Sequence, residues 1–305
     1  MIYMQIELEP GVYVVAVSGG VDSVVLLHLL VRKMAGFTHR EQTQLIVAHF
    51  DHGIRTDSKH DRLFVQQLAG HHDLPFIYDD GLLGPDASEA EARAARYRFL
   101  NKVRRAAGAK AMLTAHHLDD VLETAVLNIL RGTGRKGLTS LTSHKQLIRP
   151  LLGFSKEEIR NYAQTHKLHW REDSTNEDEA YLRNYIRKQV IPKFDTFSRS
   201  ILQGHIDKMS VLNREIDSLV SAALDENVEP QHIDRRWFVL LPHGLALDVM
   251  ASWLRHHDVR SFDKKLLNQL VVKAKTLQIG KRISVDNRYE IRVETANLAL
   301  KPIER

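Results

Sequence analysis

The most chemically suggestive stretch is Ser18-Gly19-Gly20-Val21-Asp22-Ser23, which follows the apolar run Val12 to Val17 and opens an amphipathic segment. Two adjacent glycines let the backbone approach a ligand closely. A helix starting there adds unpaired N–H groups and the positive end of its dipole. Together these make a cradle for phosphate oxygens. A strand-to-helix turn capped by Ser and Asp is the plainer alternative, and a bare Gly-Gly pair favours it. The complete hexapeptide behind a buried strand reverses that balance. The loop lacks the Lys-Ser/Thr ending of G-x-x-x-x-G-K-[ST], which argues against a kinase or ATPase loop.

Five further stretches carry reactive side chains. Ala48-His49-Phe50-Asp51-His52-Gly53-Ile54-Arg55 ends the second strand-like run; two histidines alone say little about a metal. In Glu91-Ala92-Arg93-Ala94-Ala95-Arg96-Tyr97, Arg93, Arg96 and, further on, Arg104 fall near one helical face, a pattern that also suits a solvated helix with Glu–Arg pairs. In His116-His117-Leu118-Asp119-Asp120-Val121-Leu122-Glu123-Thr124, a helix would project His116, Asp120 and Glu123 from one face. Those types suit a divalent ion, or simply a helix start favoured by its dipole. Gly132-Thr133-Gly134-Arg135-Lys136-Gly137 has the G-x-G-x-x-G form, but follows a helix rather than a strand, so the dinucleotide reading fails. With Arg135 and Lys136 it is expected to be a flexible basic loop. Last comes Arg171-Glu172-Asp173-Ser174-Thr175-Asn176, turn chemistry by itself, then Tyr181 to Arg187 and Pro192.

These stretches sit in a regular series of elements. Strands are expected at Val12–Val17, Leu45–Ala48, Pro75–Tyr78 and Ala111–Thr114. Helices are expected from about Asp22 to Met34, from a Ser88/Glu91 capping box to Gly108, from Asp119 to Arg131, and from a Ser155/Glu158 capping box to His166. The alternation predicts an α/β fold with a doubly wound parallel sheet, whose ligands lie beyond the carboxyl ends of strands. The polar stretches after strands one, two and four should converge there. Residues 197 to 225 predict a long linker helix. A smaller α+β domain follows, with helices around Leu247–Leu254 and Leu266–Leu277 and a hairpin turning at Asp286-Asn287.

Bulk composition narrows the function. With 305 residues the chain is long enough for two domains, and 43% hydrophobic with 27% charged residues is ordinary for a globular enzyme. There are no cysteines, which excludes a thiol nucleophile, Cys-ligated zinc and iron–sulfur clusters. The net charge of +5 leaves nucleic acid at about even odds as a partner. The start carries acidic residues and no signal-like pattern, and no apolar run is long enough for a membrane span, so a cytoplasmic location is expected.

The motifs, taken in order, resemble the tRNA(Ile)-lysidine synthetase family of PP-loop ATP pyrophosphatases. Ser18 to Ser23 is similar to the family's SGGVDS loop, Ala48 to Arg55 to A-H-x-[DN]-H-G-[LI]-R, continued by Ser58 and Asp61, and Glu91 to Tyr97 to a slightly compacted E-A-x-A-R-x-x-R-Y. His116 to Thr124 is similar to H-H-x-x-D-x-x-E-T, and Arg131 to Leu138 to R-G-[ST]-G-x-x-G-L. The stretch from Asp173 to Pro192 is similar to D-x-[ST]-N…R-N-x-[IL]-R…P. The likeness is continuous over about the first 190 residues; beyond Pro192 it rests on layout and implies a compact member without the extra terminal domain of longer ones.

The resemblance implies a PP-loop nucleotide-binding fold divided at 1–195, 196–228 (linker helix) and 229–305 (tRNA-binding). It implies ATP held by Ser18, Gly19, Gly20, Val21, Asp22 and Ser23 with Ala48 and His49 near the adenine. His52, Arg55, His116, Arg135 and Lys136 would face substrate or RNA. Asp120 and Glu123 would receive free L-lysine, and Asp22 with Asp120 would place Mg2+. Arg93, with Arg96 as second choice, would meet the developing phosphate charge. Arg183 would reach the site, buttressed by Asn184 and Arg187. The reaction implied is adenylation of the wobble cytidine of tRNA(Ile), then attack by lysine, giving lysidine, AMP and pyrophosphate. Three rivals remain in outline. A tRNA thiolase fits poorly with no cysteine, an amide-forming synthetase lacks room for an ammonia-producing domain, and a degenerate tRNA-binding protein would not need Asp22, Asp120, Glu123 and Arg183. Amphipathic helices after residue 200 can pack within or between chains, so a homodimer stays open.

Overall fold

The apolar run near the N-terminus becomes the middle of a five-stranded parallel sheet. The structure, a computed structural model, describes residues 4, 6–35, 43–53, 58–81, 83–84, 87–171, 182–229, 231–259 and 262–303. Strands β1 (Gly11–Ala16), β2 (Thr43–Asp51), β3 (Phe76–Asp80), β4 (Ala111–Leu113) and β5 (Leu147–Ile148) lie in the order β3-β2-β1-β4-β5. All four pairings are parallel. The intervening helices are α1 (Val21–Ala35), α2 (Ser58–His71), α3 (Glu89–Ala106), α4 (Leu118–Leu130), α5 (Arg135–Leu138) and α6 (Lys156–Thr165).

Both faces of β1 are buried, which explains its unbroken apolar sequence. Tyr13, Val15 and Val17 pack with α1, with Val65 and Ala69 of α2, and with Ile159 and Ala163 of α6. Val14 packs on the other face with Phe99, Leu100 and Val103 of α3. The sheet is doubly wound, as expected. The order of strand addition reverses between β1 and β4, so the loops after these two strands flank the switch point where α/β sheets bind ligands.

Two elements of this layer had no sequence counterpart. α2 occupies Ser58–His71, and β5 is a two-residue strand that extends the sheet beyond β4. Past α6, described residues resume with α7 (Leu182–Tyr185), which runs into a π-helical turn at Ile186–Val190 and a 3-10 turn at Ile191–Lys193. Helix α8 then spans Thr196–Asn227.

The chain divides into two compact units, Met1–Met209 and Ser210–Arg305, the division falling within α8. The second contains β6 (Val228–Glu229), β7 (His232–Asp234), α9 (Arg235–Leu240), α10 (His243–His256), α11 (Lys264–Thr276), β8 (Arg282–Ser284), β9 (Tyr289–Val293) and β10 (Asn297–Pro302). Its antiparallel sheet runs β6-β7-β10-β9-β8, with Phe238, Met250, Trp253, Leu254, Leu270 and Ile291 in its core. The expected hairpin is β8–β9, and Asp286 Oδ1 accepts the N–H groups of Arg288 and Tyr289 at 2.8 Å each to close its turn. Among the described residues, no helix is long and apolar enough to cross a membrane.

Candidate active site

The loop after β1 is shaped by its two serines. Ser23 Oγ accepts the N–H groups of Ser18 and Gly19 at 3.2 Å each and donates to the Gly20 carbonyl at 2.9 Å. Gly19 has φ +96°, a conformation glycine adopts without a steric penalty. Its carbonyl accepts the N–H of Arg171 at 2.9 Å, and Arg171 Nε donates to Asp61 on α2 at 3.0 Å. The loop is thereby fixed from behind, with the first turn of α1 at its front edge.

Asp22, in that first turn, is already paired. Lys156 Nζ donates to both its carboxylate oxygens, at 2.6 and 2.7 Å. Lys156 is the first residue of α6, whose N-terminus carries the Ser155/Glu158 capping box foreseen from the sequence. It was read there only as part of a helix start. Its approach to the loop after β1 depends on β5, which delivers α6 to the same rim.

The third component gathers around His117, the residue preceding α4. Its Nε2 lies 3.8 Å from Asp22 Oδ2 and 3.6 Å from Asp120 Oδ2, and its Nδ1 lies 3.8 Å from Asp119 Oδ2. Asp120 closes the helix start by accepting the His117 N–H at 3.0 Å. The loops after β1 and β4 therefore meet at one imidazole. His116 is not on the helix, contrary to expectation, because α4 begins only at Leu118; its Nδ1 meets Thr114 Oγ1 at 2.9 Å. Burial, reinforced by Arg149, Arg93 and Arg96, pushes the His116 pKa down to about 3 against the opposing pull of Asp120. Burial works against the Asp120 carboxylate, but His117, His116 and Arg187 hold it below its usual range.

Glu123 is only 2% exposed, and both its oxygens are bound: Arg187 Nε donates at 2.7 Å and Nη2 at 2.8 Å. Arg187 also reaches Asp120 at 3.4 Å, while Arg183 Nε stands 3.7 Å from Glu123. The anionic pocket expected for a cation is thus neutralised by a forked guanidinium, the geometry arginine favours on a carboxylate. Arg187, expected to support Arg183, is the residue that forks onto Glu123.

Arg93 comes from α3. Its Nη1 is 3.5 Å from His116 Nε2, its Nη2 donates to the Tyr97 hydroxyl at 3.4 Å, and its guanidinium lies 4.9 Å from the Tyr97 ring centre. Arg96 lies over the same ring at 5.7 Å. Arg93 thus reaches the histidine beside the carboxylates, while Arg96 shares its tyrosine. Arg149, just past β5 and not singled out in the sequence, is buried near this group and donates to the Thr142 carbonyl.

Comparison with known proteins gives this arrangement its family. Residues 4–194 match the model of the PP-loop domain. Over 306 aligned residues the chain is 32% identical to a tRNA(Ile)-lysidine synthase of Lactiplantibacillus plantarum, covering 96% of this chain and 67% of that protein. The chain belongs to the PP-loop family, among the tRNA(Ile)-lysidine synthases. It is 39% identical to the synthase of Thermus thermophilus over 219 residues and 34% identical to that of Thermosipho africanus over 268. It spans 41% and 60% of their respective lengths.

The remaining residues implied by the family fall in different surroundings. His49 is buried, and its Nδ1 meets the Val17 carbonyl at 2.9 Å, tying the ends of β1 and β2 together. Burial lowers its pKa, so the ring is neutral, and Nδ1–H is the donor. Ala48 packs under α3 with Phe99. His52 is partly exposed, edge-on to Phe50 with ring centres 5.1 Å apart. Arg55 lies outside the described residues. Arg135 and Lys136 do not form a loop: they open α5, held because Asn128 Nδ2 donates to the Gly137 carbonyl at 2.7 Å. Gly137 permits the tight turn, since a Cβ there would fall 2.0 Å from Thr133 Oγ1.

Among the described residues, no cluster of three or more His, Asp or Glu side chains is arranged to hold a metal ion. Asp22 and Asp120, flanking the same His117 nitrogen, fit magnesium in its other mode, in which one or two carboxylates share the ion with substrate phosphates.

Proposed function

We propose that the chain is an ATP-dependent ligase that converts the wobble cytidine of tRNA(Ile) to lysidine, using free L-lysine and working in the cytoplasm. The observation that carries this reading is the convergence on His117 of the Asp22 end of the phosphate loop with the carboxylate of Asp120. A phosphate cradle alone supports adenylation. Acidic groups within reach of it supply what an incoming amine requires.

In the first step the cytosine 2-carbonyl oxygen forms a bond to the α-phosphorus, and the bond from that phosphorus to the bridging oxygen breaks. Pyrophosphate leaves with the electron pair. The loop amides, Lys156 and Arg93 are the chain's own groups for that growing charge. Magnesium, held by Asp22 and Asp120, would neutralise phosphate charge. In the second step the lysine ε-amine bonds to carbon 2 and the carbon–oxygen bond to AMP breaks. An ammonium of ordinary pKa ~10.4 must first lose a proton. Asp120, Glu123 and His116 are the chain's own groups to receive it.

Both steps require an exchange of cations. With magnesium held by Asp22 and Asp120, Lys156 would be released from Asp22 to the phosphates, and Arg187 would yield Glu123 to the lysine ammonium. The test is AMP release with tRNA(Ile), ATP and lysine. Asp22→Ala is expected to abolish tRNA-dependent ATP–pyrophosphate exchange; Glu123→Ala is expected to retain exchange and lose lysine transfer. Loss of exchange alone in Glu123→Ala would reverse the assigned roles.

A further inference from the structure

Asp119 neighbours the carboxylate given a role above but faces differently. Its Oδ2 accepts the backbone N–H of Lys156 at 2.7 Å, and its Oδ1 accepts Arg199 Nη1 at 2.6 Å. The side chain is 14% exposed. Arg199, near the start of α8, spreads its other donors onto the Phe194 carbonyl at 3.1 Å and the Ile191 carbonyl at 3.0 Å. Beside this, Leu118 N–H donates to the Phe154 carbonyl at 2.9 Å, a second strut between the starts of α4 and α6.

We infer that Asp119 is a positioning residue: it fixes the main chain of Lys156, through its N–H, so that the ammonium meets the phosphate loop at Asp22. The N–H of a first helical residue has no partner within its own helix. Here it is taken by a carboxylate from another helix, a charge-assisted bond with a defined direction. The lysine side chain has four rotatable bonds, so its tip finds Asp22 reproducibly only if its root is held. Arg199 fixes the same carboxylate from the opposite side and ties it to the segment that carries Arg183 and Arg187. One acidic side chain thereby sets Lys156 relative to the arginines on Glu123. This deepens the proposed reaction, and rests on it for the catalytic consequence.

The test is a double-mutant cycle between Asp119→Asn and Lys156→Met, read in MgATP affinity by calorimetry and in tRNA-dependent pyrophosphate exchange. An amide cannot accept from both donors as the carboxylate does. Misplacement on the scale of an ångström costs up to about 100-fold in rate. Asp119→Asn is therefore expected to weaken MgATP binding about tenfold and slow exchange by about 10- to 100-fold. In the Lys156→Met background it should add no more than about twofold to either. Should Asp119→Asn not fold, Asp119→Glu, which keeps the charge and moves it by one methylene, is expected to show the same non-additivity. Effects that multiply in the double variant would mean Asp119 serves the fold generally and would overturn the inference. So would a wild-type MgATP affinity in Asp119→Asn. Non-additive ATP binding without exchange by the wild type would sustain the clamp and refute the ligase reading. Exchange with multiplicative effects would do the reverse, and no MgATP binding by the wild type would overturn both.

Discussion

Asp22 and Glu123 each meet a cation before any substrate does, and that determines what their removal costs. Glu123 is the more buried, so stripping away Arg187 leaves a charge with little solvent. A fully buried pair broken on one side costs about 3–5 kcal/mol, and Arg187, 37% exposed, moves this to about 2 kcal/mol. Arg187→Met is expected to lower stability by that amount in urea titration, and adding Glu123→Gln should recover part of it; no recovery would show that the two side chains are energetically independent. His116 and His28 make a second residue-level prediction. Burial pushes His116 down to about 3 and His28 to about 4 from an ordinary 6.5, His28 helped by His166, Arg32 and His72. Both fold neutral, so between those values and 6.5 the unfolded chain binds more protons. Stability from this source is fully present above pH 6.5 and is lost as pH falls, by up to about 1.4 kcal/mol per unit for each group. His116→Gln should therefore flatten the dependence of the urea midpoint on pH between 6.5 and 4; an unchanged slope would refute the assignment.

Helix starts carry the site at the next scale, and the two capping boxes make a controlled comparison. Ser88 and Ser155 each accept the N–H of the glutamate three residues on. Replacing either with Ala is expected to cost about 1 kcal/mol. Only Ser155→Ala should also slow adenylation, because Lys156 is its neighbour; equal activity in the two variants would separate the α6 start from catalysis. These caps were legible in the sequence because each is a local pattern of four residues. The central strands were legible because burial on both faces leaves a continuous apolar run. β5 was not, since two residues have no period. α2 carries a weaker signal: Phe64, Val65, Leu68 and Ala69 repeat at helical spacing, but its first turn is wholly polar. Without β5 nothing in the sequence brings α6 to the rim, so Lys156, Arg149 and the turned-back Asp119 could not be seen. Motif residues close in sequence, such as Asp120 and Glu123, were legible; partners far along the chain, such as Lys156 for Asp22, required the topology.

At the scale of the whole molecule, an excess of five positive charges accompanies two separately cored units, the first holding the site and the second a helical and antiparallel layer. If tRNA is the partner, phosphate contacts should release counterions, and the logarithm of the association constant should fall linearly with the logarithm of salt concentration. Filter binding of tRNA across a salt series checks this, and a salt-independent affinity would argue against an RNA partner. The central claim is the chemistry performed on that RNA. Its most direct measurement is mass spectrometry of nucleosides from tRNA(Ile) incubated with the protein, ATP and isotopically labelled lysine. The account predicts a labelled lysine adduct on the wobble cytidine, formed with AMP and lost in Asp22→Ala; an unmodified cytidine with the folded, ATP-binding protein would contradict it.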